Sequence, residues 1–411
     1  MFKDLLEFYH TNDKDMDDKC KEFFSELKNF PFYSDLKKIL SNAKYNINEL
    51  LEDKNYKLIL EYLLFEKGKL PKALLKFSQY VNNIRTALEE HFYEGIEYAS
   101  DLNNNVKLHF TVSEEHLDGF EGLTDELKSK FLPGYTFDVT FSTQKPSTDT
   151  IAVDENNVPL RDENDNVVLR PGGHGALIHN LNSLNENIVF IKNVDNVITD
   201  QNKTITIEHK KIIGGILIKT QNAIFKYIED LNSRKYSDII TIEKYIKNDL
   251  NLTLPSNYYE NIIEKKAKIL LSTLNRPIRV CGMVKNTGAP GGGPFFVKKN
   301  DTISLQIVES SQIDLSKEDQ REIFESSTHF NPVDLVCGLK DHNGNNFNLL
   351  DFIDHDAYFI SNKSLNGKPL KALELPGLWN GAMANWITLF IDVPLETFNP
   401  VKTVNDLLLN F

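Results

Sequence analysis

The sequence has few cysteines, no excess of basic residues and no long apolar run. Its 411 residues contain three cysteines, Cys20, Cys281 and Cys337, which are far apart and form no C-x-x-C pair. An odd number of dispersed cysteines argues against a disulfide framework and a structural zinc site, and fits a reducing compartment. The first residues mix charged and apolar side chains, and no apolar run reaches the length of a membrane span. The sequence therefore predicts a cytoplasmic protein without a membrane partner.

Acidic residues outnumber basic ones in this chain. Aspartate and glutamate total 59 and lysine and arginine total 46, which gives a formal net charge of −13. Binding of nucleic acid over a broad surface requires a basic footprint, and this balance argues against it. A local basic pocket for phosphates remains compatible with the same composition. We therefore expect no nucleic-acid partner.

Strand and helix patterns alternate along the chain. Residues 1–105 carry apolar side chains at helical spacing, and a second helical region follows at 219–275. Short runs elsewhere alternate apolar and polar residues as strands do. This order predicts an α/β fold with a mostly parallel central sheet, in one large domain whose α/β core spans 106–411. The predicted strands are Val106–Val112, Tyr135–Phe141, Thr150–Val153, Val158–Arg161, Val167–Arg170, Ile188–Ile191, Ile278–Val284, Ile303–Val308 and Trp386–Ile391.

A glycine-rich loop lies between a predicted strand and a predicted short helix over 176–184. Arg170-Pro-Gly-Gly-His-Gly-Ala176 has three glycines in four positions, so its backbone can turn sharply and approach a ligand closely. Amides at the start of a helix can face an anion or a nucleobase edge. His174 can donate a hydrogen bond there, and Arg170 offers a fork of donors. The alternative interpretation is a tight turn whose histidine is satisfied in the core.

A polar segment follows the most apolar of the predicted strands. Ile188–Ile191 is a continuous apolar run, as in strands buried on both faces of a parallel sheet, and Asn193-Val-Asp-Asn196 comes directly after it. Ligands of open α/β sheets lie beyond the carboxyl ends of the strands. A carboxylate there can hold Mg²⁺ together with substrate phosphates, which makes Asp195 the candidate metal ligand. The alternative is that these residues only shape a turn.

Taken together, these two segments resemble the core of the UTP–sugar-phosphate uridylyltransferases, or pyrophosphorylases. That family has the nucleotide-diphospho-sugar transferase fold (GT-A, Rossmann-like), a P-P-G-H-G loop at the nucleotide and an N-x-D-N aspartate beside the metal and the sugar phosphate. The resemblance implies Mg²⁺ at Asp195 and sugar contacts from Asn193 and Asn196. It implies nucleotide-binding roles for the loop residues Arg170, Gly172, Gly173, His174 and Gly175.

A segment in the second half of the chain extends the resemblance to the sugar. Ile307-Val-Glu-Ser-Ser-Gln312 is similar to the family's glutamate-rich strand beside the sugar. Phe330-Asn331 follows it, as in a further family signature. Glu309 and Gln312 are therefore the implied sugar contacts.

The C-terminal segment extends the resemblance to the phosphates. Val393–Leu408 is similar to the family's V-P-R-S-R-F-x-P-V-K-T-x-x-D-L-L, in which the lysine of P-V-K reaches substrate phosphate. That role is carried over to Lys402. Leu395 and Thr397 replace the arginines of the motif, so we expect the sugar-phosphate contacts to differ.

The N-terminal part departs from the family pattern. Lys69-Leu-Pro-Lys-Ala-Leu-Leu75 matches the family's P-K element, and Lys72 therefore joins Lys402 as a catalytic, phosphate-binding candidate. No glycine loop of the type G-G-x-G-T-R-M precedes it. The chain opens with Met1-Phe-Lys-Asp-Leu5, similar to the residues just after such a loop, and no capping residue precedes the first helical stripe. We therefore expect the sequence to begin late, without the first central strand and the main nucleotide loop.

The chain is also similar to a bacterial family of unknown function. Members of that family carry R-P-G-G-H-G-A-L, I-K-N-x-D-N and G-x-P-G-G-G-P-F in this order. The chain has all three, at Arg170–Leu177, Ile191–Asn196 and Gly288–Phe295. Membership implies kinship with the pyrophosphorylases but fixes no substrate.

The resemblance implies transfer of a nucleotide from an NTP, with UTP favoured, to a sugar 1-phosphate, with release of pyrophosphate. Positioning and charge neutralisation would supply the catalysis without a protein nucleophile. The main alternative is a non-catalytic protein that binds a nucleotide or a nucleotide sugar on the same fold. A third hypothesis is a glycosyltransferase, for which Asp354-His-Asp356 has the spacing of a D-x-D metal motif.

Two further segments carry weaker signals. Gly288–Pro294 is glycine-rich but lacks the G-K-[ST] ending of a Walker A loop, which argues against an ATPase. Trp379 and Trp386 flank the segment Asn380-Gly-Ala-Met-Ala-Asn385. Core packing is the role we expect for both, in preference to stacking on a sugar or a base.

Overall fold

The structure, a computed structural model, describes residues 1–11, 16–130, 134–288, 291–299, 302–365 and 368–409. The chain folds into two compact units, each assembled from stretches that are separated in sequence. The first unit contains Met1–Phe141, Asn193–Glu208 and Glu396–Phe411, and the second contains Ser142–Lys192 and His209–Leu395. The predicted single large domain stays a prediction.

The first unit is mainly helical. Its strands form two short pairs, β1 with β2 in antiparallel orientation and β3 with β4. Its helices are α1 (Lys3–His10), α2 (Asp18–Ser25), α3 (Tyr33–Asn42), α4 (Ile47–Glu52), α5 (Tyr56–Lys67), α6 (Ala87–Tyr98) and α7 (Leu117–Lys130). Its strands are β1 (Lys76–Gln79), β2 (Ile84–Thr86), β3 (Asn105–Thr111) and β4 (Thr136–Ser142).

Helices α1 to α5 surround an apolar core that is rich in phenylalanine. Each of these helices buries one apolar face, which explains why the helical spacing of the sequence is visible. Phe23 is fully buried, with its ring centroid 5.1 Å from that of Phe24 and 5.0 Å from that of Phe30. Val197 and Val401 are buried in the same core. The core therefore fixes the two segments that carry Asp195 and Lys402.

The second unit contains most of the strands. Helix α9 begins in the first unit and continues into the second. The helices are α8 (Ile178–Asn182), α9 (Lys203–Asn232), α10 (Ile239–Asn248), α11 (Ile263–Leu274) and α12 (Glu318–Glu325). The strands are β5 (Thr150–Val153), β6 (Leu169–Arg170), β7 (Ile188–Lys192), β8 (Ile278–Lys285), β9 (Gly292–Lys299), β10 (Thr302–Glu309), β11 (His329–Gly338), β12 (Phe359–Leu365), β13 (Lys368–Glu374) and β14 (Ile387–Asp392).

The main sheet of the second unit has the strand order β14-β8-β11-β7. β14 and β8 are parallel, whereas β11 is antiparallel to both β8 and β7. The α/β class predicted from the sequence is confirmed, but the sheet is mixed and the predicted mostly parallel sheet is not confirmed. The reason is that an apolar run indicates burial of a strand and carries no information about its direction.

Two predictions about individual strands are corrected. β7 was expected to be buried on both faces, but its five residues are all half-buried, and within the described residues it pairs with β11 alone. The strands that are buried along most of their length are β8 and β11. The predicted strands Val158–Arg161 and Val167–Arg170 reduce to isolated bridges and to the two-residue β6, because tight turns interrupt them.

The remaining strands form a second four-stranded sheet, β12-β13-β5-β6, and a β9–β10 hairpin. Residues 162–166 form a turn, in which the carboxylate of Asp162 accepts hydrogen bonds from the amides of Asn164 and Asn166 at 2.8 Å. Of the glycine-rich segment Gly288–Pro294, Ala289 and Pro290 lie outside the described residues and the last three residues begin β9. Across the described ranges, no helix combines the length and apolar character needed to cross a bilayer.

Candidate functional site

In the first unit, Lys72 links two segments that are distant in sequence. Lys72 follows Pro71 at the start of a short 3₁₀ helix, Lys72–Leu74, that precedes β1. Its ammonium donates to Asp195 Oδ2 and to the backbone carbonyl of Val401, both at 2.6 Å. The side chains of Lys72 and Asp195 are 30% and 18% exposed, so the pair is accessible to a small ligand. The predicted P-K, N-x-D-N and P-V-K elements therefore meet at one place.

The two loops that meet Lys72 are joined by backbone hydrogen bonds. The amide of Val401 donates to the carbonyl of Asp195 at 3.1 Å. Asn196 is buried, and its side-chain oxygen accepts from the amide of Asn399 at 2.8 Å. The carboxamide of Asn399 in turn donates to the carbonyl of Val197 at 3.1 Å. These contacts lock the two loops together and use the amide oxygen of Asn196 inside the protein.

Lys402 and Asn193 are the exposed members of this region. The backbone amide of Lys402 donates to Asp406 Oδ2 at 2.8 Å, so the aspartate of the P-V-K-T-x-x-D segment caps its own turn. The ammonium of Lys402 lies 5.8 Å from the ring centroid of Phe398. Asn193 begins the N-x-D-N turn, where its carbonyl accepts from Asn196 at 3.2 Å. Both side chains face solvent, and their predicted roles stay predictions.

A cleft of about 580 Å³ in the first unit opens beside Lys72. The start of α1 forms one wall, and Phe2, which precedes this helix, makes no side-chain capping hydrogen bond. The amides at an uncapped helix start are donors suited to an anion. The other wall is formed by the segment between α5 and β1, and the lining residues are Met1, Phe2, Lys3, Leu6, Glu7, His10, Thr11, Gly68, Leu70, Lys72 and Leu75.

The surroundings of Asp195 offer few protein ligands for Mg²⁺. Among the residues that the structure describes, no group of three or more His, Cys, Asp or Glu side chains could hold a metal ion. Mg²⁺ is often held by one or two carboxylates together with substrate phosphates and water. One oxygen of Asp195 already accepts from Lys72. Asp195 therefore fits Mg²⁺ as one carboxylate ligand beside phosphate oxygens and water.

In the second unit, His174 is held by three neighbours. Its ring stacks on the indole of Trp379, with centroids 4.2 Å apart and planes inclined by 17°. Its Nδ1 lies 3.1 Å from the amide of Leu378, which donates to it. Because Nδ1 accepts, the proton of the neutral ring belongs on Nε2, which lies 3.3 Å from Glu309 Oε1. His174 therefore presents an N–H group to Glu309.

Glu309 and Gln312 are neighbours in one hydrogen-bond network, and their implied contacts with a sugar stay a prediction. The Glu309 side chain accepts from the amide of Gln312, while the Glu309 amide donates to Gln312 Oε1 at 3.0 Å. Asn380 Nδ2 donates to the same oxygen at 2.9 Å. Burial raises the pKa of Glu309, but the interaction with His174 and the hydrogen bonds from Trp379 and Asn380 outweigh it and hold the pKa below its ordinary value. Glu309 is thus kept ionised.

The glycines of the G-G-H-G loop leave room for neighbouring protein atoms. A Cβ at Gly173 would lie 1.9 Å from Glu374 Oε2, and the φ of Gly173 is +76°. A Cβ at Gly175 would lie 2.3 Å from the Pro376 carbonyl, and one at Gly172 would lie 2.5 Å from another backbone carbonyl. Tight packing inside the protein therefore accounts for all three glycines. Their predicted close approach to a nucleotide stays a prediction.

The predicted site residues thus fall into two groups. The first unit holds Lys72, Asn193, Asp195, Asn196 and Lys402, and the second holds Arg170, Gly172, Gly173, His174, Gly175, Glu309 and Gln312. Arg170 ends β6 opposite Thr150 and is half-buried. The alternative D-x-D motif is already engaged, because Lys299 donates to Asp354 at 2.6 Å and to Asp356 at 3.0 Å.

The sequence did not indicate the platform on which the His174 ring stacks, which is the indole of Trp379. Trp379 and Trp386 both pack at an apolar core of the second unit, as expected, and the indole of Trp379 also stacks on His174. Asn380 and Glu374 were not predicted at all. Glu374 is buried and accepts from Ser361 at 3.0 Å and from Lys363. A tryptophan between two glycines, Gly377 and Gly381, was the one signal available for this platform.

The chain belongs to the family described as a domain of unknown function (DUF4301), which matches residues 1–410. This confirms the expected membership of a family of unknown function. No curated protein sequence matches the chain significantly.

Solved structures of UDP-sugar enzymes are similar to the chain at low sequence identity. A UDP-glucose phosphorylase from Trypanosoma brucei has 16% identity and a TM-score of 0.46 over 82% of this chain. A mutant UDP-glucose pyrophosphorylase from Leishmania major, in complex with UDP-glucose, has 14% identity and a TM-score of 0.44 over 82%. A uridine diphosphate N-acetylglucosamine pyrophosphorylase from Trypanosoma brucei has 14% identity and a TM-score of 0.43 over 83%. The chain spans 60%, 60% and 61% of these three structures.

Proposed function

We propose that the chain is a nucleotidyltransferase-like protein of the nucleotide-diphospho-sugar transferase type that binds an NTP, with UTP favoured, and a sugar 1-phosphate. The observation that supports this most is the contact of the Lys72 ammonium with Asp195 and with the Val401 carbonyl, at 2.6 Å each. The three segments involved are those that the uridylyltransferase resemblance assigns to phosphates and metal. They are separated by more than a hundred residues along the chain.

Lysine residues carry the phosphate chemistry in this proposal. Lys72 exchanges its contact with Asp195 for a phosphate oxygen, because both are anionic acceptors of the same ammonium group. Lys402, which is exposed on the neighbouring loop, contacts another phosphate group of the bound substrates. Mg²⁺ would be held by Asp195 and would neutralise charge on the nucleotide phosphates. The sugar phosphate oxygen then attacks the α-phosphorus, a P–O bond forms and the bond to the leaving pyrophosphate breaks.

The polar cluster of the second unit supports recognition of a hydroxylated ligand. Glu309 is held ionised, and a carboxylate accepts hydrogen bonds from sugar hydroxyls. The side-chain oxygen of Asn380 is buried and has no hydrogen-bond partner among the described residues, so it has capacity to accept one more bond. His174 and Trp379 form a flat stacked pair beside these groups. Such a combination suits a sugar or a nucleoside.

A protein that binds the same ligands without turnover is the second candidate. The ion pair between Lys72 and Asp195 favours it, because a carboxylate already paired with an ammonium group is a weaker ligand for Mg²⁺. The two candidates share the binding prediction and differ in pyrophosphate release.

Calorimetric titration with UTP and Mg²⁺, followed by a pyrophosphate exchange assay with UDP-sugars, tests both candidates. Binding with exchange supports the transferase, and binding without exchange supports the second candidate. The matched variant is Asp195→Asn, which keeps the shape of the side chain and removes its charge. We expect this variant to lose the Mg²⁺ dependence of UTP binding. A chain that binds no NTP and no nucleotide sugar contradicts both proposals.

A further inference from the structure

Arg279 is a charged residue in an apolar core. It lies on β8, it is 0% exposed, and it is among the largest fully buried side chains of the chain. Its cross-strand neighbours are Cys337 on β11 and Thr388 on β14, neither of which is an acid. Within the described ranges, no carboxylate forms an ion pair with it. This arginine therefore differs from Arg85 and from Lys210, which are buried together with carboxylates.

Burial of an unpaired guanidinium group is unfavourable. Desolvation lowers the pKa of Arg279, although an arginine side chain keeps its proton in proteins. A charge without a partner in a medium of low dielectric constant is strongly unfavourable, and proteins avoid it unless the group has another use. The other use is indicated by the hydrogen bonds that Arg279 makes.

The guanidinium of Arg279 holds the loop beneath His174. Nε donates to Thr388 Oγ1 at 2.8 Å, and Nη1 donates to the backbone carbonyl of Trp379 at 2.5 Å. Nη2 has no partner in the described part of the chain. The first bond anchors the side chain on the sheet, and the second reaches the residue whose indole stacks on His174.

The loop that Arg279 holds makes two contacts with residues of the candidate site. The indole of Trp379 lies parallel to His174, and the carboxamide of the next residue, Asn380, donates to Gln312. A Cβ at Gly377 would lie 2.4 Å from the His174 ring, so the loop and the ring are in close contact. A small shift of the Trp379 carbonyl would therefore change the stacking and the hydrogen bond to Gln312 together.

We propose that Arg279 is a positioning residue for the candidate site of the second unit. From a buried strand it fixes the Trp379 carbonyl, and this sets the indole against His174 and the Asn380 carboxamide against Gln312. The purpose of this arrangement, recognition of a sugar or nucleoside, rests on the proposed function. The arrangement itself does not.

Arginine suits this role better than other side chains of similar length. Its planar guanidinium group makes two hydrogen bonds at fixed angles, one to Thr388 on β14 and one to the carbonyl of Trp379 in the loop. Lysine, in contrast, is a point charge on a flexible stem. Methionine fills the space without any donor. We therefore expect Arg279→Lys to retain part of the effect and Arg279→Met to abolish it.

Fluorine NMR of protein labelled with 5-fluorotryptophan tests this inference. The chain has two tryptophans, so two resonances are expected, and Trp379→Phe assigns them. The readout is the shift of the Trp379 resonance caused by His174→Ala, which reports the stacking. We expect a clear shift in the wild-type background, no shift in Arg279→Met and a reduced shift in Arg279→Lys. Thr388→Val, which keeps the arginine but removes the Nε acceptor, provides a milder variant and should also reduce the shift.

Val280→Ala is the matched control. Val280 is the next residue on β8, is fully buried and has its side chain on the opposite face of the strand. It should lower the melting temperature and leave the effect of His174→Ala on the Trp379 resonance intact. The inference is wrong if Arg279→Met and Thr388→Val keep that effect, or if Arg279→Met moves the Trp386 resonance as much as that of Trp379. Neither result depends on a nucleotide, so a failed UTP titration and a failed NMR test remain distinguishable.

Discussion

At the scale of single residues, Lys72 combines good hydrogen-bond geometry with access to solvent. Its two hydrogen bonds are 2.6 Å long, yet the side chain is 30% exposed. Partly exposed ion pairs contribute only about 0–1 kcal/mol to stability, so exchange of Asp195 for a ligand phosphate has a small cost. We therefore expect Lys72 to matter more for the proposed phosphate binding than for folding.

The first prediction concerns the contribution of Lys72 to nucleotide binding. Lys72→Met should raise the Kd for UTP with Mg²⁺ by about ten- to a hundredfold, because loss of charge-assisted hydrogen bonds costs about 1.5–3 kcal/mol. Isothermal titration calorimetry measures the change. Lys76→Met is the matched control, since Lys76 pairs with Asp35 at 2.7 Å with the same 30% exposure and has no proposed role. Equal losses in the two variants would show that general charge, and not this position, governs binding.

The second prediction concerns the pH dependence of Glu309. Its pKa in the folded protein lies below the ordinary value of 4.5, so its ionised form stabilises the fold above that pH. This stabilisation is lost as the pH falls through the folded pKa. Glu309→Gln removes it at every pH. The difference in free energy of unfolding between wild type and variant should be constant from about pH 7 to pH 5 and should shrink at lower pH. Urea unfolding across that range measures it, and a difference that grows in acid would contradict the assignment.

At the scale of elements, the loop before α8 depends on glycine for steric reasons. Gly173 has φ +76° and ψ −169°, a region that is almost exclusive to glycine. Any side chain there would also collide with the buried carboxylate of Glu374. The loop conformation, and with it the position of His174, therefore requires this residue.

The third prediction compares two glycines. Gly173→Ala should destabilise the protein by about 1–3 kcal/mol or more, because backbone strain and the collision with Glu374 act together. Gly122→Ala should stabilise it by about 0.5–1 kcal/mol, because Gly122 lies inside α7 and a Cβ there meets nothing within 4 Å. Chemical denaturation of both variants gives the two values. If both variants were destabilised alike, the distinction drawn from the local geometry would be wrong.

The predictability of each element from the sequence depended on how local its interactions are. β3, β5 and β8 were predicted because alternating or apolar patterns report burial directly. β11 was not predicted, although it lies inside the main sheet. Its Asn331-Pro-Val-Asp334 segment breaks the pattern, and Asp334 is tolerated there because Lys210 on α9 pairs with it across 124 positions of sequence.

The candidate site was predictable to the same extent. Short motifs made Lys72, Asp195 and His174 candidates, because their residue types carry chemistry that a sequence displays. The neighbours that orient them were not visible. Trp379 and Arg279 act through a carbonyl contact and a ring stack that only the folded chain creates. The relative directions of the strands in the main sheet were not predicted for a similar reason, since no single apolar segment encodes which strand it pairs with.

At the scale of the whole molecule, each unit buries its own paired charges. In the first unit, Glu90 is fully buried and accepts from Lys203 at 2.8 Å, and Arg85 binds Asp200 at 2.8 Å. In the second unit, the buried pair is Lys210 with Asp334. Removal of one partner from such a pair costs about 3–5 kcal/mol, because the other charge stays buried without compensation. These pairs are therefore probes of how independently each unit is stabilised.

The fourth prediction uses these probes. Lys203→Met leaves Glu90 short of a partner and should lower the protection against hydrogen exchange in peptides from 1–141, 193–208 and 396–411. Lys210→Met should lower it in peptides from 142–192 and 209–395, because each variant damages the core of one unit. Hydrogen exchange with mass spectrometry under native conditions resolves the two sets. The control is Lys235→Met. Lys235 is exposed and its ammonium lies 3.1 Å from a carboxylate oxygen of Asp230, so the loss of this ion pair should change the protection little. An equal loss of protection in both sets of peptides for either buried variant would mean that the chain opens as one cooperative domain, as the sequence alone suggested.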